Sequence, residues 1–83
     1  MIKDHEIHIK EFVDATHVSP EKGADSFIEY ATDISTYGHI PLDTAFTAAV
    51  RNIQKSYKQP LNQDESSREF AAISTARLKL GLW

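Results

Sequence analysis

Apolar positions along this chain recur mostly at helical spacing. The clearest run is Ala24, Phe27, Ile28, Ala31 and Ile34, which keeps the i, i+3, i+4, i+7 pattern of one buried helical stripe. Ser19-Pro20-Glu21 precedes it as a start signal. The serine oxygen can accept from a free backbone N–H, proline at the first helical position loses no bond, and glutamate meets the positive end of the helix dipole. Gly38 is expected to close this helix in a left-handed cap. Gly23 inside it costs about 1 kcal/mol against alanine, which a helix tolerates.

Three further segments follow the same logic. Between Asp4 and His17, the residues Ile2, Ile9, Phe12, Val13 and Thr16 share a face, with Asp4 as N-cap, and predict a helix. Glu6-Ile7-His8-Ile9-Lys10 also alternates like a half-buried strand. After the connector His39-Ile40-Pro41, Asp43 is expected to cap a helix through about Tyr57. Ala45, Phe46, Ala49, Val50, Ile53 and Tyr57 would face inward, and Ala45, Ala48 and Ala49 would admit a close neighbour. Lys58 to Asp64, with Pro60, reads as a loop. Ser66-Ser67-Arg68-Glu69 then reads as a capping box opening a fourth helix, with Phe70, Ile73, Ala76 and Leu80 inward. Its end, from Ala76 to Trp83, has period two and suits either a terminal strand or, as preferred here, helix to about Lys79 and a short apolar tail.

These segments predict an all-α fold, a small bundle or orthogonal array of about four helices, as a single domain over residues 1–83. The alternative is an α+β fold in which residues 6–10 pair with 76–82 as a short two-stranded ribbon.

Composition narrows the function. At 83 residues the core is thin, and stability is expected near the low end of about 5–15 kcal/mol. With 41% hydrophobic and 25% charged residues, the chain is of globular rather than disordered type. It has no cysteine, which excludes disulfides, thiolate metal sites and cysteine nucleophiles, and which favours a cytoplasmic setting. Charges interrupt the amino-terminal stretch, so neither a signal peptide nor a membrane span is expected; the end, ARLKLGLW, carries no prenylation or retention signal.

The net charge of −3 conceals an asymmetry: nine acids against three lysines up to Asp43, then three acids against six bases. Glu21, Asp25, Glu29 and Asp33 recur every four residues and predict a continuous acidic ridge opposite the Phe27, Ile28, Ala31 and Ile34 stripe, with no lysine at i+4 to neutralise it. Arg51, Lys55 and Lys58 form a shorter basic stripe that could meet phosphates. His5 and His8 are spaced to share a helical face near Asp4 and Glu6. Without a third ligand at diagnostic spacing, they read as solvated histidines, and no metal or other cofactor is expected. His17 and His39 flank loops and read as surface residues.

No serine sits in a nucleophile context, and three glycines build no phosphate-cradling loop, so no catalytic residue is expected and the chain is read as non-enzymatic. The expected function is a small helical accessory or regulatory protein acting by protein–protein binding. It would be an inhibitor presenting an acidic helix face, Glu21, Asp25, Glu29 and Asp33, to a basic and nucleic-acid-binding partner protein. The apolar tail, Leu82 and Trp83, would form a second contact or a homodimer seam. A nucleic-acid-binding regulator using Arg51, Lys55 and Lys58 is the alternative, with direct nucleic-acid binding the less favoured reading. No membrane partner is expected.

Overall fold

The computed structural model describes residues 4–57 and 59–82. Four helices follow one another: α1 His5–Val18, α2 Pro20–Gly38, α3 Leu42–Ser56 and α4 Gln63–Leu80. The protein is all-α, and no strand occurs among the described residues. The proposed ribbon is therefore corrected: residues 6–10 lie within α1 and residues 76–80 within α4. Short alternation is compatible with a helix because positions two apart lie about 200° apart on its circumference. Ile7 accordingly points outward, 51% exposed, while Ile9 packs against the core.

Two helix starts are as expected. Asp4 accepts from the Glu6 amide at 3.1 Å, and Ser19 Oγ accepts from the Lys22 amide at 3.1 Å with Pro20 following it. Three boundary details differ. The left-handed residue ending α2 is His39, φ 54°, rather than Gly38. The turn is held by Ser35: its carbonyl accepts from the Ile40 amide at 3.3 Å, and its hydroxyl donates to the Ile40 carbonyl at 2.7 Å. Asp43 lies in the first turn of α3 instead of capping it. The cap position is Pro41, and the Asp43 carboxylate accepts from the Thr44 amide at 2.8 Å. The capping box of α4 is formed by Asn62 and Glu65, not by Ser66 and Glu69: the Asn62 side chain accepts from the Glu65 amide at 2.8 Å, and Glu65 accepts from the Asn62 amide at 3.4 Å. Ser66 and Ser67 lie inside the helix.

α2 is the central element. It packs against α1, α3 and α4, whereas α3 and α4 scarcely touch each other. At the centre, Phe27 of α2 meets Phe12 of α1 edge-on, centroids 5.7 Å apart, and Phe46 of α3 in the same manner at 4.7 Å. Ala24, Ala31, Ala49 and Ile53 fill the space around them. The inward stripe of α4 is Ala72 and Ala76 together with Glu69, while Phe70 faces out at 75% exposure. This corrects the expected inward place of Phe70. Two alanines on the buried side let α4 lie close against α2, an approach that a phenylalanine in that row would prevent.

Gly23 has a role that its helix propensity conceals. A Cβ there would overlap Thr16 Oγ1 of α1 and stand 3.1 Å from Ala72 Cβ of α4. The bare α-carbon is what lets three helices cross at one point. At the other end, Gly81, φ 72°, closes α4 in a left-handed turn, and Leu82 folds back onto the core.

Candidate functional site

The acidic ridge is not a single flat face. Four residues turn an α-helix by about 400°, so each step from Glu21 to Asp33 gains about 40° and the row sweeps through about 120°. Its early part leans toward α4, where Asp25 pairs with Lys79 at 3.0 Å. Its far end leans toward α1, where Asp33 takes His8 Nε2 at 2.7 Å. Glu21, Asp25 and Glu29 are exposed and Asp33 is half-buried.

His8 corrects the reading of solvated histidines, because it is 1% exposed. Its ring stacks on Tyr30, centroids 4.8 Å apart and planes 21° from parallel. His5 remains on the surface and takes a different partner, the Tyr30 hydroxyl, 2.8 Å from its Nδ1. That hydroxyl also accepts from Asn52 Nδ2 of α3 at 3.1 Å. Its single proton is therefore available to His5 Nδ1, and one phenol ties α1, α2 and α3 together. Burial pushes the Tyr30 phenol up, with the Asn52 hydrogen bond opposing. The sequence reading passed over Tyr30, although its place three residues after Phe27, beside the apolar stripe, is a helical signal for burial. His17 and His39 are exposed, as expected.

A second polar pair joins half-buried Tyr57, at the end of α3, to buried Glu69 of α4. Tyr57 donates to the Glu69 carboxylate; burial pushes the Tyr57 phenol far up, and the negative charges of Glu69 and Glu65 push it further. Burial likewise holds the Glu69 carboxyl above its ordinary range, with the Tyr57 hydrogen bond pulling it back. Both residues sit between two hollows. One, of about 230 Å³, opens beside Phe12, Val13 and His17. The other, of about 500 Å³, is the cleft between α3 and α4. Val50 and Tyr57 line the α3 side of the cleft, Leu61 its end, and Phe70, Ile73 and Arg77 its α4 side. Arg77 also lies over the Phe46 ring, 5.3 Å from its centroid.

Of the basic stripe, Arg51 and Lys55 are exposed along α3 beside a shallow depression with Thr44 and Thr47, and Lys58 lies outside the described residues. In the tail, Leu80 and Leu82 pack against the core, Leu78 is 64% exposed, and Trp83 lies outside the described residues. Among the described residues, no helix is long and apolar enough to cross a membrane. No protein-family model, curated protein or solved structure matches this chain.

Proposed function

We propose that this is a non-enzymatic helical accessory protein that acts by binding another protein, with the α3–α4 cleft receiving an amphipathic helix of that partner. The observation that carries the reading is Phe70, 75% exposed on the α4 wall of a cleft also lined by Ile73 on that wall and by Val50 and Leu61. An exposed aromatic beside a concave apolar surface gains nothing for the isolated fold and suits a contact anchor. The width left by two helices that share a neighbour and scarcely touch each other suits insertion of a third helix. Arg77 on the α4 wall favours a partner helix that carries an acidic residue toward it. Glu21, Asp25 and Glu29 offer a separate, acidic face for a basic region of the same partner.

The test compares capture of partner proteins by the wild type and by Phe70→Asp, with helicity followed by circular dichroism. Loss of a specific partner at unchanged helicity is expected. Undiminished capture by Phe70→Asp overturns the cleft reading, as does a Phe70-dependent dimer in sedimentation, which would assign the cleft to a second copy. Asp25→Lys with Glu29→Lys addresses the acidic face separately.

A further inference from the structure

We infer that His8, Glu11 and Glu29 form a binding site for a zinc-like divalent metal ion at the seam between α1 and α2. One imidazole nitrogen of His8 and one carboxylate oxygen from each glutamate all lie within 4.8 Å of one another. Carboxylate clusters alone are common at surfaces; the histidine sets this one apart. His8 is 1% exposed, and its Nδ1 is buried without a hydrogen-bond partner. Its Nε2 is engaged by the Asp33 carboxylate at 2.7 Å. A carboxylate can only accept, so in the neutral ring the proton sits on Nε2 and Nδ1 presents a bare lone pair. A metal-ligating histidine is held in this way: one nitrogen is anchored to a carboxylate that fixes the tautomer, and the other is open to the ion. The Tyr30 stack, at 4.8 Å, also fixes the ring plane.

The dimensions suit a small ion. A point equidistant from three atoms 4.8 Å apart lies about 2.8 Å from each, against about 2.0–2.2 Å for zinc bonded to nitrogen or oxygen. The difference is well under 1 Å for each ligand. It can be met by the glutamates, since Glu29 is exposed and Glu11 partly so, while His8 stays still. One imidazole with two carboxylates suits zinc, cobalt or nickel better than calcium or magnesium, which prefer all-oxygen shells. Three protein ligands leave a fourth position for water. The site lies away from the α3–α4 cleft, and the inference stands independently of the partner proposed for that cleft.

The experiment is titration of the purified protein with zinc chloride, read by calorimetry and by the thermal unfolding midpoint, with cobalt chloride followed in the visible spectrum. One saturable equivalent, a raised midpoint and a tetrahedral cobalt spectrum are expected. Glu11→Gln with Glu29→Gln is expected to abolish all three while retaining helicity. Glu29→Gln alone, at an exposed position, keeps the comparison valid if the double substitution perturbs folding. Asp33→Asn, which removes the charge behind the imidazole, is expected to weaken affinity by about 10–100-fold. Absence of a saturable equivalent overturns the inference. So does binding that survives the glutamine substitutions, which would place the metal on the surface histidines His5, His17 or His39.

Discussion

His8 Nε2 and Asp33 Oδ2 stand 2.7 Å apart across the α1–α2 seam, and this contact gives a buried imidazole its one polar partner among the described residues. Removing it strands both ring nitrogens in a dry environment. Asp33→Ala is therefore expected to lower stability by about 1.5–3 kcal/mol, the cost of losing a charge-assisted hydrogen bond to a buried group. Asp25→Ala, two turns earlier on the same ridge, removes only a solvent-exposed pair with Lys79 and is expected to leave the urea midpoint unchanged. Urea unfolding of the two variants side by side checks this, and equal effects would contradict the division of the ridge.

Gly23→Ala reverses the usual sign of a glycine-to-alanine change in a helix. Propensity alone predicts a gain of up to about 1 kcal/mol. The added methyl overlaps Thr16 Oγ1 and meets Ala72, so α1 and α4 must move away from α2. A net loss of about 1–3 kcal/mol is expected, within the range for overpacked cores. The thermal midpoint measures it directly; a stabilised variant would show that the three-helix crossing is looser than described.

Glu69 gives the stability a pH dependence of definite sign. Burial raises its folded-state pKa above the ordinary glutamate value, so the folded protein holds this proton more tightly than the unfolded chain. Its contribution is present below the unfolded pKa and is lost as pH rises through the folded pKa. Glu69→Gln, which cannot ionise and can still accept from Tyr57, is expected to remove that decline and to raise the midpoint at neutral pH. Unfolding curves collected from pH 4 upward test this, and an unchanged slope in the variant would refute it.

The start of α4 can be located by substitution. Asn62→Ala is expected to cost about 1 kcal/mol through loss of a cap, whereas Ser66→Ala, inside the helix, is expected to have almost no effect. The reverse order would restore the later start suggested by the serines. Both candidate boxes have an acceptor three residues before a glutamate, so local chemistry does not separate them. Glu69 is withdrawn from capping because α4 packs with Glu69 against Tyr57.

Local pattern alone established four helices, the caps at Asp4 and Ser19, the inward face of α2 from Ala24 to Ala31 and that of α3 from Ala45 to Ile53. These depend on interactions within three or four residues, and backbone geometry makes them nearly independent of what lies across the core. Which row of α4 faces inward was decided by tertiary contact. Phe70 and Ala72 both suit a helical stripe, and only the narrow space against α2 selects alanine. The same holds for His8, whose burial depends on Tyr30 and Asp33 some 25 residues away, and for Gly23, whose missing side chain is explained by Thr16 and Ala72 together. The α3–α4 cleft is likewise a product of assembly: it exists because two helices share α2 as a neighbour while scarcely touching each other, a relation that no stretch of sequence contains.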